Sequence, residues 1–161
     1  MAEIPKIESL DDIVEERGVR VKIGDYVGPL YKKIYEMILV GDKLAYRVDT
    51  AESKMLVNFD GVEGPKYRFV GNLKGFGDKL TYMAETENGK RLFNIDGVEG
   101  PKYDGVIDLV KIGDKFAYSA SYLASKEGGR EIIRLINFDG KEIFDKTLEE
   151  LKEEYECVKA E

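Results

Sequence analysis

Residues 77–97 read Gly-Asp-Lys-Leu-Thr-Tyr-Met-Ala-Glu-Thr-Glu-Asn-Gly-Lys-Arg-Leu-Phe-Asn-Ile-Asp-Gly, and this stretch decides the fold. Leu80, Tyr82 and Ala84 alternate with other residues, and a period of two predicts a strand with one buried side. Asn88-Gly89 is the strongest short hairpin signal, because both central residues of a type I′ turn need positive φ. A second apolar run and an Asp-Gly turn follow, so the stretch predicts a β-hairpin bounded by tight turns.

The same unit recurs in three tandem copies of about 36 residues. Gly-Pro begins at Gly28, Gly64 and Gly100, Gly-Asp-Lys at Gly41, Gly77 and Gly113, and Asn-x-Asp-Gly at Asn58, Asn94 and Asn137. The last interval is longer, because the third copy carries an insertion at about Tyr122–Gly128. We delimit one repeat domain over 1–161, with repeats 26–61, 62–97 and 98–140, an N-terminal fragment 1–25, and a C-terminal fragment with a capping helix at 141–161.

Each copy predicts four antiparallel strands, the last of them short. In the first copy the strands are Ile34–Val40, Lys43–Val48, Met55–Phe59 and a piece near the Gly-Pro, where proline restricts pairing. Short strands with a turn every eight to twelve residues are typical of an all-β sandwich, barrel or propeller.

Both ends of the chain carry helix signals. Ser9 predicts a cap for a short helix over Leu10–Glu16, and Thr147 with Glu150 forms a capping-box pattern. We expect an amphipathic helix over 147–159 that covers an exposed end of the β-structure, since terminal repeats need a cap. Its apolar face holds Leu148, Leu151, Tyr155 and Val158.

The stretch at 77–97 resembles a blade of the WD40-like β-propeller repeats, such as those of Tol-type propellers, and the resemblance covers roughly 26–145. The family usually has Ser-Pro-Asp-Gly before the first strand, where this chain has Gly-Asp-Lys. Propellers close with about four to eight blades, so three blades plus fragments imply a homodimer in which two chains form a continuous ring or an extended curved sheet. A β-trefoil, which closes with three four-stranded units in one chain, and an open β-meander are the alternatives.

Composition narrows the function classes. The chain has 161 residues, 25 Lys and Arg against 32 Asp and Glu, one Cys and no His. A net charge of −7 disfavours nucleic acid as a partner. No segment has the roughly 20 apolar residues that cross a bilayer, so no membrane partner is expected. Without His, the usual zinc site and the commonest general base are missing.

The start of the sequence lacks the order of a signal peptide, and one cysteine forms no intrachain disulfide, so we expect a cytoplasmic protein. The richness in Lys and Glu resembles the composition of thermophile proteins.

The repeated polar residues have structural interpretations. Asp beside Gly favours turns over a ring of cation ligands, at Asp42, Asp78, Asp114, Asp60, Asp96 and Asp139. Tyrosines fixed on or near strands favour half-buried packing over ligand stacking, at Tyr31, Tyr67, Tyr103, Tyr46, Tyr82 and Tyr118. The asparagines at 58, 94 and 137 are expected to satisfy turn backbone groups. The glycines of Gly71–Gly77 lack Walker order, and Cys157 lies beside Glu156, which favours an inert thiol.

These observations name no catalytic residue, cofactor or metal, and we expect no enzyme. The sequence favours a non-catalytic module that binds a protein, either itself as a homodimer or another one. A carbohydrate- or small-ligand-binding β protein is the alternative, and a hydrolase using two carboxylates is the third hypothesis. Function, if it is localised, is expected where the copies differ, and the insertion Tyr122–Gly128 is either such a functional loop or a solvated hairpin tip.

Overall fold

The computed structural model describes residues 3–160, with side chains up to Cys157. The first sheet comprises β1 (Ile13–Glu16), β2 (Arg20–Ile23) and β3 (Tyr26–Val27). The second comprises β4 (Lys33–Val40), β5 (Lys43–Asp49), β6 (Met55–Phe59) and β7 (Val62–Glu63). The third comprises β8 (Phe69–Phe76), β9 (Lys79–Glu85), β10 (Arg91–Ile95) and β11 (Val98–Glu99). The fourth comprises β12 (Gly105–Ile112), β13 (Lys115–Lys126), β14 (Gly129–Phe138) and β15 (Lys141–Ile143), and helix α1 (Leu148–Ala160) follows.

The predicted all-β fold of tandem four-stranded antiparallel sheets is confirmed. In every sheet the strands lie side by side in chain order. The N-terminal fragment forms a sheet of its own that lacks only the first strand of the pattern. No barrel closes among residues 3–160, which disagrees with the β-trefoil alternative. The described residues form two compact units, one reaching to Asn88 and including Phe93–Glu99, the other formed by Gly89–Leu92 and the residues from Gly100 onward.

The short N-terminal helix predicted over Leu10–Glu16 is wrong in extent. A single 3-10 turn spans Leu10–Asp12, and Ile13–Glu16 is strand β1, paired with β2. The predicted cap is present, because the Ser9 hydroxyl accepts the Asp11 N–H at 3.1 Å. One apolar turn is too short to hold a helix in water, and β-branched Ile13 and Val14 gain more by pairing with β2.

The predicted single buried side of the central strands is also wrong. Ala45 is 0% exposed although it alternates with buried Leu44 and Tyr46, and β6 is buried along most of its length. Both faces are covered because sheets stack: in the first unit β8 lies against β4, β5 and β6. The Arg47 guanidinium donates to the carbonyl of Val70 across that contact, at 2.9 Å. The continuous run Met55-Leu56-Val57 is the sequence signal for a strand buried on two sides.

Helix α1 covers part of the fourth sheet, as predicted. Thr147 caps it by accepting the Glu150 N–H at 3.1 Å. Leu151 is buried against Ile112 and Ile136 of the sheet, and Leu148 and Tyr155 pack beside it. The side chain of Val158, predicted on the same face, lies outside the described residues. Within residues 3–160, no helix has both the length and the apolar content to span a bilayer.

The repeat provides its own controls for the contact between α1 and the sheet. Gly41, Gly77 and Gly113 occupy the same turn with φ of +64°, +63° and +66°. A Cβ would meet nothing within 4 Å at the first two, whereas at Gly113 it would collide with the Tyr155 ring.

We therefore expect Gly41→Ala and Gly77→Ala to cost about 1 kcal/mol each, from the left-handed backbone alone. Gly113→Ala should cost about 1–2 kcal/mol more, because the ring must move, and it should speed hydrogen exchange along α1. Urea unfolding and exchange measured by mass spectrometry check both. Three equal losses, with exchange in α1 unchanged, would show that Tyr155 does not seat the helix on this turn.

Candidate functional site

The residues repeated in all three copies build a buried junction between sheets. Tyr31 lies in the link between the first and second sheets, and its hydroxyl donates to Glu63 Oε2 at 2.7 Å. The hydroxyl oxygen of Tyr31 also accepts the Asn58 Nδ2–H at 3.0 Å. Its ring meets Tyr46 edge-on, with centroids 6.1 Å apart. Its backbone N–H donates to the carbonyl of Val19, next to β2, at 2.8 Å. The tyrosine therefore binds one sheet through its backbone and the next through its side chain.

The other two copies repeat this geometry. Tyr67 exchanges backbone hydrogen bonds with Met55 at 2.8 Å, and its hydroxyl donates to Glu99 at 2.7 Å. Tyr103 exchanges backbone bonds with Arg91, and its hydroxyl accepts from Asn137 at 3.1 Å. The edge-on ring contacts recur for Tyr67 with Tyr82 and for Tyr103 with Tyr118. The tyrosines and asparagines thus hold the fold together rather than facing a ligand.

The Gly-Pro of the first two repeats leaves room for these rings. A Cβ on Gly28 would lie 3.3 Å from the Tyr46 hydroxyl oxygen, and one on Gly64 would lie 3.2 Å from that of Tyr82. Each glycine also donates its N–H to a strand carbonyl, that of Val21 or of Val57, at 2.9 Å. Glycine recurs here because the backbone passes directly against a buried phenol.

Burial controls the acidity of these phenols. Desolvation raises the pKa of Tyr82 to about 12, and the charge of Glu99 adds to the effect. Burial likewise raises the pKa of Tyr31, of Tyr46 and of Tyr67, with Glu63 or Glu99 raising them further. The hydroxyls therefore stay protonated as donors across the physiological range.

The remaining sequence candidates have structural positions. The six repeated aspartates lie in two-residue turns, where Asp60, Asp96 and Asp139 each have φ of +52°. Among the described residues no group of three or more acidic or thiol side chains suits a metal ion. Gly71–Gly77 falls in strand β8 and its turn, with a bulge between Gly71 and Lys74. Cys157 is exposed on α1.

The fourth sheet differs from the others in one long hairpin. The insertion lengthens β13 and β14 to 12 and 10 residues, against 7 and 5 in the second sheet. Asp104, at the position of Lys32 and Arg68, holds β13 of this hairpin where the insertion begins, by accepting the Leu123 N–H at 2.7 Å. Lys90 donates to the other oxygen at 2.6 Å, and these two bonds lower the pKa of Asp104.

An open groove of about 1040 Å³ lies between this sheet and the start of α1. It follows what we term the outer face of the fourth sheet, the face turned toward α1. The register places these residues on it: Ile107, Ser119, Ser121, Leu123, Ile132, Arg134 and Ile136. Ile107, Leu123 and Ile132 are 47 to 62% exposed, as is Phe144 at the groove wall. Arg134, Lys146 and Lys152 add positive charge to the lining.

The sequence pointed to the insertion but missed the groove. The groove depends on where α1 begins relative to the sheet, and nothing in the repeat pattern encodes that position. One sequence signal for this surface was the large apolar Ile107, because the second copy has Gly71 at the equivalent position.

Neither a family model, nor a curated protein, nor a solved structure matches this chain.

The junction predicts a large difference between two neighbouring tyrosines. Tyr31→Phe removes the acceptor of fully buried Asn58 and the donor to Glu63, so it should cost about 2–3 kcal/mol of unfolding free energy. Tyr35→Phe removes only an exposed hydroxyl bonded to Asp49, and it should cost under about 0.5 kcal/mol. Urea denaturation of both variants compares them. Equal losses would mean that the Tyr31 hydroxyl adds nothing beyond its ring.

Stability should fall at alkaline pH. A tyrosine in the unfolded chain ionises near pH 10, whereas Tyr82 in the folded chain does so near 12. Its contribution is complete below pH 10 and is lost as pH rises toward 12, by up to about 1.4 kcal/mol per pH unit for each such phenol. Urea unfolding at pH 8, 10 and 11 measures this, with absorbance at 295 nm as a check. Ionisation of all 10 tyrosines while the circular dichroism stays native would contradict it.

Proposed function

We propose that this chain is a non-catalytic protein-interaction module that binds its partner on the outer face of the fourth sheet. We also propose that its sheets are blades of the WD40-like type, supported by their chain-order meander and the Gly-Asp and Asp-Gly punctuation. One observation carries the binding proposal: the outer face is only partly covered, and the uncovered part carries large apolar side chains.

The second sheet shows what such a face normally contacts. In the first unit its corresponding face is covered by β8 of the next sheet. On the fourth sheet, α1 covers Ile136 and its neighbours at one end, and the rest of the face stays open toward the hairpin tip. Leu123 and Ile132 lie directly opposite each other there, and both are exposed. Exposed apolar patches with a polar rim mark interaction sites.

The charges around the groove indicate the partner's chemistry. Arg134, Lys146 and Lys152 line it, against the carboxylates of Asp108 and Glu149. Lys146 is bonded to Glu154 at 2.9 Å, and the lining also carries the cations Arg91, Lys111, Arg134 and Lys152. In a chain of net charge −7 this local excess of positive charge favours a segment with apolar and acidic side chains.

The groove fits a protein segment better than the alternatives. Sugar recognition favours a cluster of aromatic faces, and Phe144 is the single aromatic residue of the described lining. A hydrolase would need a pair of carboxylates in this groove. The described lining supplies only Asp108, in a strand bulge, and Glu149, in the first turn of α1.

A second copy of the chain is the first partner to test. Joining the first sheet of one copy to the fourth of another is disfavoured, because the free face of the first sheet is charged. By register, Glu16, Arg20 and Lys22 stand there in place of Val48, Leu56 and Asn58. Two outer faces of fourth sheets can instead meet about a twofold axis, with Leu123 and Ile132 at the centre.

Light scattering with size exclusion tests this first. A mass near twice 18.2 kDa that falls to the single-chain value in Ile132→Lys identifies a self-interface. A single-chain mass assigns the surface to another protein. Quantitative pull-downs from the source cells should then show a partner whose recovery drops about fivefold or more with Ile132→Lys.

Val62→Lys and Val98→Lys are the matched controls, because these valines are equally apolar and exposed but lie in the second and third sheets. They should leave the mass and the pull-down unchanged. A dimer or partner that survives Ile132→Lys, or is lost equally with Val62→Lys, would rule out the outer face as the binding surface.

A further inference from the structure

The first sheet lacks one strand, and the other sheets show which one. In the second, third and fourth sheets, an eight-residue strand pairs antiparallel with the next strand along the chain. By register β1 corresponds to β5, so the missing strand would lie on the outer edge of β1. Among the described residues β1 pairs with β2 alone. Val14 at this edge is 60% exposed.

The described residues that precede β1, from 3 to 12, do not fill this edge. Ile7 is buried in the core beside Val21 and Ile23, on a face of the first sheet. Ile4 lies against Gly61, and Pro5 lies against Gly24. The 3-10 turn uses only one edge group, because the Ile13 N–H donates to the Leu10 carbonyl.

Strand alternation leaves the backbone of Glu15 pointing outward. The two-residue turn at Gly24-Asp25 joins Ile23 and Tyr26 as a hydrogen-bonded pair, so Lys22 turns its backbone groups toward β1. Val14, opposite Lys22, faces inward, and Glu15 then presents its N–H and C=O to the open edge. Unpaired edge groups of this kind accept an added strand.

We propose that the edge of β1 binds an extended segment of a partner protein as the missing strand, with a basic residue opposite Glu15. The charge follows from the second sheet. There Arg47 stands where β1 has Glu15, and Glu36 of β4 lies directly across from it. The two form an ion pair at 3.9 Å. The first sheet has the opposite sign at this position, so it selects the opposite sign in the incoming strand.

The neighbouring positions set the rest of the pattern. Ile38 and Met37 of β4 lie opposite Ala45 and Tyr46, which correspond to Ile13 and Val14. The incoming strand therefore carries apolar residues opposite Ile13 and Val14. This surface lies in the first unit and shares no residue with the outer face of the fourth sheet, so it extends the proposed interaction role to a second site.

Two capped peptides test the proposal. One copies Lys33–Val40, and the other copies the same residues with Glu36→Lys. The Lys peptide should bind the full chain at least about threefold more tightly at low salt. Glu15→Arg in the protein should reverse the preference. Binding is followed by amide shifts in the labelled protein, which should concentrate at 13–17.

Two further variants separate possible failures. Glu15→Pro removes the outward donor without removing a β1–β2 bond, and it should abolish binding of either peptide while the dichroism stays native. Ile132→Lys should leave peptide binding unchanged, so loss of the fourth-sheet surface does not affect this test. Equal affinity for both peptides in wild type and in Glu15→Arg, shifts outside β1, or no binding at millimolar peptide would overturn the proposal.

Discussion

A buried tyrosine hydroxyl must find hydrogen-bond partners, and this constraint fixes most of what the three repeats share. Tyr31 needs a carboxylate and an amide, which Glu63 and Asn58 supply. Its position in the link between sheets ties the two together at one point. The ring it meets, Tyr46, needs a backbone without a Cβ above it, which Gly28 supplies. An unmet hydroxyl in this setting costs more than the hydrogen bond itself contributes, so these residues recur together.

The sequence predicted the strands well because local chemistry decides them. Two-residue turns demand residues that tolerate positive φ, and Gly41 and Asp60 meet that demand with φ of +64° and +52°. The helix cap at Thr147 is local for the same reason. Burial on both strand faces was missed, because a period of two reports one face and the second face is covered by a neighbouring sheet. The first sheet was predicted only as an N-terminal fragment and not as a sheet of its own, since β1 and β2 lack the tyrosine and asparagine that mark the other copies.

The candidate binding surface lies where the third copy departs from the pattern. At the position of Lys32 and Arg68 the third copy has Asp104, a change of sign. The carboxylate accepts the Leu123 N–H, so it fixes β13 of the long hairpin where the insertion begins. An aspartate without a structural role at this position would point its carboxylate into water. Here it anchors the segment that presents exposed Leu123 and Ile132, the residues at the centre of the proposed binding surface.

The first and fourth sheets each have one face that needs cover, and they solve this problem in different ways. A sheet face without a second sheet against it exposes side chains that a stacked sheet would bury. On the first sheet that face carries Glu16 paired with Arg20 and Lys22, so water covers it at little cost. On the fourth sheet α1 covers the apolar half. Charged side chains keep a sheet face hydrated, but they leave the backbone groups of an edge strand unpaired. The acidic edge of β1 repels other acidic strands, including a further copy of β4 with its Glu36. The same glutamate that prevents self-pairing therefore admits a strand of the opposite charge.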